Sequence, residues 1–214
     1  NSDEVPYWGR TKLIQDQLSQ GVAPSLETIL RYSNTAHQQT EAYAWSWAAV
    51  VFLKHHPDTA AAFAQLLQQP WHGSDDANRW LFTQLRSSWP RIRQQWQATL
   101  GDLDYGFDPQ HGLLKLSTKL RPLRSPQTVV VKATEGWQAS GFAVAAGTRL
   151  TVQASGEYSV GSEPKPWKCT PAGVQLEYYH GIPLGRLLMS TTSALQHEPD
   201  FAQPLTIHQV GDGG

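Results

Sequence analysis

Charge and cysteine are both scarce in this sequence. Charged residues make up 16% of the 214 residues, the net charge is −1, and Cys169 is the single cysteine. A chain without a basic excess lacks the electrostatic footprint of a nucleic-acid-binding protein. One cysteine excludes an internal disulfide. No apolar run approaches the roughly 20 residues that a membrane-spanning helix needs. The sequence therefore predicts a globular protein with no nucleic-acid partner and no membrane span.

Complete catalytic and metal-binding motifs are also missing. The sequence contains no nucleophile elbow, no P-loop and no dinucleotide-binding glycine motif. His197–Glu198 begins like the zinc-peptidase motif H-E-x-x-H, but Phe201 stands where the second histidine belongs. Pro199 also prevents the helix that would place two imidazoles on one face. We therefore predict no catalytic residue, no metal ligand and no cofactor within this chain.

Several single residues have both a chemical and a structural interpretation. Glu41 is either a buried catalytic or metal-binding carboxylate or, as we favour, a first-turn carboxylate that interacts with the helix N-terminus. His55 and His56 lie at a helix end, where the helix dipole favours imidazole, and we interpret both as structural. Cys169 beside Lys168 is either a reactive thiol or, as we favour because no histidine is adjacent, a cysteine tucked into a loop.

Helical periodicity dominates the first hundred residues. Apolar side chains recur at three- and four-residue intervals, and Gly, Pro and Asn interrupt the pattern. The central segment Gln38–Lys54 is apolar or small around most of its circumference, so we expect other helices to surround it. The pattern predicts a mostly antiparallel helical array over residues 8–100. Its predicted helices are Tyr7–Ser19, a short helix capped by Ser25, Gln38–Lys54, Asp58–Gln68, Asp76–Ser87 capped by Ser74–Asp75, and Pro90–Gly101.

A period of two residues replaces this pattern in the second half. Leu150, Val152 and Ala154 alternate with polar residues, as in a strand with one buried face. Short strands separated by Gly, Pro and Ser predict a β-sandwich, which we expect to be cut short at the C-terminal GDGG. The predicted strands are Thr128–Thr134, Gly141–Ala145, Leu150–Ser155, Val174–Tyr179, Leu187–Ser190 and Leu205–Val210.

These patterns predict an α+β chain with two domains. Residues 1–108 form the helical part, residues 109–127 form a turn-rich and proline-rich linker, and residues 128–214 form the sandwich. Leu113–Leu120 is either a short strand of the sandwich or an arm packed on the helices. Because the chain lacks an initiator methionine, we interpret it as a piece of a longer protein.

Aromatic residues of the second half offer the best candidates for ligand contact. A sugar-binding site pairs an aromatic platform with a few fixed polar groups. Alternation along Val174–Tyr179 places Tyr178 on the core face and Gln175 with Tyr179 on the wet face. We expect Trp137 and Tyr178 in the core, and Trp167 and Tyr179 as surface platforms.

The second half resembles the galactose-binding lectin family of the PA-IL (LecA) type. The resemblance rests on GWQASGFAVAAGTRLTVQASGEY, PWKCTPAGV and YYHGIPLGRLL, and it spans Val129–Val210. It is closest to lectin-like modules of large exported bacterial proteins of planctomycete type. The resemblance implies a jelly-roll β-sandwich that holds a sugar through a calcium ion. It also implies an extracellular or periplasmic location and a glycan partner.

The family's sugar site carries over only in part. The calcium-binding tyrosine carbonyl of the family corresponds to Val160, and its histidine and glutamine correspond to Thr170 and Ala172. The other calcium ligands belong to a loop beyond Val210, so calcium is expected only if that loop is present. With the platforms included, the candidate ligand-binding residues are Val160, Trp167, Thr170, Gln175 and Tyr179.

The first half resembles a different family. TEAYAWSWAAVVFLKHHPDTAAAFAQLL looks like the segment that follows the catalytic helices in gluzincin-type metallopeptidase-like domains of the DUF1570 kind. The resemblance implies that the zinc motif lies upstream of Asn1. We therefore expect a non-catalytic fragment with a lectin-like accessory module. The alternatives are a supporting part of a zinc metallopeptidase and a purely structural or protein-interaction module.

Overall fold

Helices come first and short strands follow, so the chain is α+β. The computed structural model describes residues 8–33, 35–117, 119–161, 165–179, 181–191 and 206–209. These residues form two compact units. The helical unit contains residues 8–33, 35–117, 119 and 134–141, and the strand unit contains the others.

Six α-helices in the described residues confirm the helical periodicity of the first half. Ser25 caps the second helix as predicted, since its hydroxyl oxygen accepts a hydrogen bond from the Thr28 amide at 3.1 Å. The predicted Ser74–Asp75 cap is wrong, because the fifth helix already begins at Ser74, directly after Gly73. The helices are Trp8–Ser19 (α1), Leu26–Leu30 (α2), Thr40–His55 (α3), Ala60–Gln68 (α4), Ser74–Leu85 (α5) and Trp89–Asp102 (α6), with a 3-10 turn at Ala36–Gln38.

Helix α3 supplies the centre of the helical core. Trp45, Phe52 and Leu53 are almost fully buried, and the Phe52 ring meets the α6 residue Trp96 edge-on at 5.5 Å. The expectation that helices surround α3 is wrong on one side, where Tyr43 is 45% and Val50 46% exposed. The Arg10 guanidinium of α1 lies 4.6 Å from the centre of the Tyr43 ring, so a cation–aromatic contact from a neighbouring helix covers one end of this side.

A turn of residues 56–59, called the His56 turn, ends α3 and leads into α4, and its first and last residues are buried. His56 is fully buried, and its Nε2–H donates to the Leu114 carbonyl at 2.8 Å. Its Nδ1 accepts from the Asp58 amide at 3.1 Å, which fixes the tautomer. Thr59 is also fully buried and donates to the Leu53 carbonyl at 2.9 Å. Both buried side chains of the turn thus find hydrogen-bond partners inside the protein.

The carboxylate of Asp58 extends this network to α6. It accepts hydrogen bonds from Arg91 Nε at 2.9 Å and from Gln95 Nε2 at 3.0 Å. Burial alone would raise the pKa of Asp58, but the bonds from Arg91 and Gln95 outweigh it and lower the pKa. The Gln95 side-chain oxygen in turn accepts from the Leu116 amide at 2.8 Å. One buried network therefore joins α3, α6 and residues 113–116.

Residues 113–116, called the arm, pack against the helices. Leu113 and Leu114 are buried, and Leu113 joins the helical core. Lys115 pairs with Gln138 in an isolated parallel bridge. Of the two alternatives for Leu113–Leu120, the arm on the helices is thus correct for residues 113–116. Residues 134–141 join the same unit, because Gly136 donates its amide to the His111 carbonyl at 2.8 Å.

Short strands form four two-stranded sheets in the described residues. Thr128–Thr134 and Leu150–Ser155 are not strands, and Val130 of the first segment is 85% exposed. A strand needs a hydrogen-bonded neighbour along its length, and within Leu150–Ser155 Ala154 alone forms an isolated bridge. The strands are Arg121–Pro122 (β1), Phe142–Ala143 (β2), Tyr158–Ser159 (β3), Lys168–Cys169 (β4), Val174–Tyr179 (β5), Ile182–Leu184 (β6), Leu188–Thr191 (β7) and Thr206–Gln209 (β8).

Strands β1 and β2 pair in parallel. The other three pairs are antiparallel: β3 with β4, β5 with β6, and β7 with β8. The prediction for β5 is confirmed to the residue, and those for β7 and β8 agree to within one residue at each end. Only Phe142–Ala143 of the predicted strand Gly141–Ala145 is a strand.

The His56 turn predicts a pH dependence of stability. Burial lowers the pKa of His56 below its usual 6.5, because a charged imidazole would lose its hydration in the core. The native state holds His56 neutral, whereas the unfolded chain binds a proton as the pH falls through about 6.5. We expect the free energy of unfolding, measured by urea titration, to fall between about pH 7.5 and pH 5.5. His56→Gln should cost about 1–3 kcal/mol at high pH and flatten that slope.

His111 provides the matched control. It is exposed, and its Nδ1 lies 2.5 Å from an Asp108 carboxylate oxygen, whose hydrogen bond raises the pKa of His111. The pair stabilises the native state at pH values below the pKa that His111 has in the unfolded chain. This stabilisation is lost as the pH rises through the raised pKa that His111 has in the native state. His111→Gln should therefore steepen the slope. A His56→Gln variant with the wild-type slope would show that the native imidazole is not held neutral.

Candidate functional site

The β3–β4 hairpin presents Trp167, the single tryptophan in the sequence of the strand unit. The Val160 amide donates to the Trp167 carbonyl, and the Trp167 amide donates to the Gly161 carbonyl, both at 2.9 Å. Trp167 nevertheless keeps 44% of its surface exposed. Two hydrogen bonds thus hold the Trp167 backbone in place while its ring remains open to solvent.

Gly185, in the turn after β6, packs directly under this hairpin. The Tyr158 hydroxyl donates to the Gly185 carbonyl. The backbone of Gly185 has a φ of +75°, and a Cβ there would lie 3.0 Å from Cys169 Sγ and would also collide with Val160. Only glycine satisfies both the left-handed backbone and this close approach. The contact explains why Cys169 is buried, although on strand β4 rather than in the predicted loop.

Four of the five predicted ligand-binding residues lie on or near the segment between β3 and the start of β5. Val160 and Trp167 are bonded through their backbones, and the Thr170 carbonyl accepts from the Gly173 amide at 2.9 Å in the turn before β5. Gln175 is the second residue of β5 and is exposed. Tyr179 ends the same strand, about 13 Å beyond Gln175 at the usual strand rise. Because β5 pairs with β6, Tyr179 lies on a different hairpin from Trp167, which belongs to the β3–β4 hairpin.

The predicted core face of β5 is largely exposed. Tyr178, expected in the core, is 62% exposed, and Leu176 on the same face is 88% exposed. The prediction for Tyr178 is wrong because β5 pairs with β6 alone and no second layer covers its face in the described residues. Trp137 is half-buried in the helical unit, where its indole N–H donates to the Asp102 carboxylate.

The other predicted groups have structural surroundings or lie outside the described residues. Glu41 is exposed in the first turn of α3, so it is not a buried carboxylate. His55 is half-buried at the α3 end, and His56 belongs to the buried turn described above. His197 and Glu198 lie outside the described residues. Within the described ranges, no group of three or more His, Cys, Asp or Glu side chains is placed to hold a metal ion.

Sequence patterns missed one polar feature beside Trp167. Lys168 Nζ lies 2.6 Å from Glu157 Oε1 across the β3–β4 hairpin, and both side chains are exposed. The bond to the Glu157 carboxylate raises the pKa of Lys168. Only the register of the hairpin, which pairs Tyr158 with Cys169, brings these two residues together. In the sequence, Trp167 is followed by the charged residue Lys168 and, two residues later, by the hydroxyl-bearing residue Thr170.

Compared with known proteins, the chain matches no family model, no curated protein and no solved structure. Among the described helices, none is both long and apolar enough to cross a bilayer. The candidate site therefore rests on its own geometry, with Trp167 at its centre.

The Gly185 contact predicts a large difference between two glycine substitutions. Gly181 has almost the same left-handed backbone, with a φ of +76°, but a Cβ there would meet nothing within 4 Å. Alanine at either position is strained by the left-handed backbone. Gly185→Ala also overpacks the side chain against Cys169, and this overpacking destabilises the fold by about 1–3 kcal/mol. Alkylation of Cys169, the only thiol, reports opening of the strand unit. We expect Gly185→Ala to accelerate it about tenfold more than Gly181→Ala. Equal rates for the two variants would contradict the packing assigned to Gly185.

Proposed function

We propose that the strand unit is an accessory carbohydrate-binding module of an exported bacterial protein, and that this chain is itself non-catalytic. The observation that carries the proposal is the exposed ring of Trp167 on a backbone that two hydrogen bonds hold in place. A backbone that is already ordered loses little conformational entropy when a ligand stacks on the side chain that it carries. A sugar ring offers the apolar face that such a platform binds.

Polar residues close to Trp167 in the sequence or paired with those residues support the same ligand class. Thr170 contributes a hydroxyl, Gln175 an exposed amide, and Lys168 with Glu157 a charged pair. Sugar hydroxyls both donate and accept hydrogen bonds, so a mixed set of this kind suits them better than a site of one charge sign. Tyr179 belongs to the β5–β6 pair rather than to the β3–β4 hairpin that carries Trp167, so we assign it a separate contact with a longer glycan.

The finer architecture belongs to the same proposal. We place the strand pairs in a jelly-roll-like sandwich of the PA-IL type, a proposal supported by the agreement of β5, β7 and β8 with the residue ranges predicted for those strands. In that arrangement the Val160 carbonyl is a calcium ligand only if the further loop of the lectin family completes the set, because calcium takes six to eight oxygen ligands.

A protein-interaction module is the second candidate, and the exposed face of β5 favours it. Leu176 and Tyr178 present apolar surface beside one another on a strand with one bonded neighbour. The helical unit, in turn, is proposed as a supporting part of a zinc metallopeptidase whose zinc motif lies upstream. The composition of α3, with four Ala, two Trp and one Tyr among its 16 residues, supports that assignment.

Binding of the full chain to a glycan array tests the carbohydrate proposal. We expect a sugar-dependent signal that Trp167→Ala weakens about tenfold, because one lost aromatic contact costs on the order of 1–1.5 kcal/mol. Tyr105→Ala is the matched control, since Tyr105 is a 62% exposed aromatic residue of the helical unit.

Cys169 alkylation should be unchanged in both variants, which would show that the strand unit remains folded. No sugar-dependent signal with or without calcium would refute the proposal. A signal that survives Trp167→Ala would refute the assigned platform. Loss of a protein partner in Leu176→Gln alone would instead support the interaction module.

A further inference from the structure

A groove in the helical unit lies apart from every residue discussed as a ligand site above except Glu41. Its volume is about 310 Å³, which suits a small molecule rather than a single ion. It lies between the end of α1, the two loops that flank α2, and the start of α3. The described lining residues are Gln17, Val22, Pro24, Tyr32, Ser33, Ala36, Gln39, Glu41, Ala42 and Trp45.

Hydrogen bonds fix the floor and one wall of this groove. Trp45 is almost fully buried, and its indole N–H donates to the side-chain oxygen of Gln17. This bond joins α3 to α1 and leaves the amide NH₂ of Gln17 as a donor. The Pro24 carbonyl accepts from the indole N–H of Trp96 at 3.1 Å, which ties the opposite loop to α6. The groove is therefore built from ordered parts of the core.

The lining includes further polar residues. Gln39 is the residue before α3, yet its side chain makes no capping hydrogen bond. The Tyr32 ring is half-buried, and burial raises the pKa of its phenol. The lining thus offers amides, a phenol and two aromatic rings beside small apolar residues.

Charge decides between ligand classes. Glu41 is the one charged side chain among the described lining residues, and it is negative. The N-terminus of α3 is equivalent to roughly half a positive charge, which a full carboxylate charge exceeds. The groove is therefore negative overall, which disfavours anionic ligands and favours a cation with an apolar body.

We propose that this groove binds a small organic ammonium ion, whose charge pairs with Glu41 and whose apolar body packs beside Trp45 and Tyr32. This site is independent of the carbohydrate site proposed for the strand unit. It gives Glu41 a binding role rather than the catalytic or metal-binding role considered from the sequence.

Benzylammonium is a suitable probe, and benzyl alcohol is its neutral counterpart of nearly the same shape. We expect titration of the ¹⁵N-labelled full chain to shift the Trp45 indole signal and the amide signals at the start of α3. Benzylammonium should bind about fivefold more tightly than benzyl alcohol, as an exposed ammonium contact of about 1 kcal/mol implies.

Two isosteric substitutions separate the site from general charge effects. Glu41→Gln should abolish the preference for benzylammonium. Asp75→Asn, which removes an exposed first-turn carboxylate from α5 of the same unit, should leave it unchanged. Equal affinity for the two probes, an unchanged preference in Glu41→Gln, or no shift of the Trp45 signal would each overturn the proposal.

Discussion

The hydrogen bonds of buried His56 and its neighbours hold α3, α6 and the arm together in the first half of this protein. One imidazole joins the end of α3 to the arm, and its neighbour Asp58 joins the same turn to Arg91 and Gln95 of α6. These groups are costly to bury singly and are stable only because each finds a partner. The network therefore makes the arm a part of the helical unit, although Leu116 is followed by proline-rich chain.

Helices were predictable from the sequence because their bonds are local. The periodicity of α3 and the cap at Ser25 are properties of neighbouring residues, so both agree with the structure. Strands need distant partners, and alternation in Leu150–Ser155 cannot reveal whether a partner exists. The same limit concealed the ion pair between Lys168 and Glu157 and the contact of Gly185 with Cys169, since both depend on pairing register and turn geometry.

The functional proposals rest on side chains that have a fixed place in the fold but do not contribute to its packing or capping. Trp167 is anchored through its backbone while its ring remains exposed, and Gln39 precedes a helix that its side chain does not cap. Such groups cost little to expose, and they are available for ligands. In contrast, His56 and Cys169, which a motif search would examine first, are used for packing and internal hydrogen bonds.

The most direct test of the central claim is chemical-shift mapping of the ¹⁵N-labelled chain with a panel of methyl hexosides, with and without calcium. A carbohydrate-binding strand unit predicts that at least one sugar shifts the Trp167 indole signal together with the amide signals of Thr170 and Gln175. It also predicts that the signals of the arm stay in place. If no sugar moves the Trp167 signal, or if the shifts fall in the helical unit alone, the claim is contradicted.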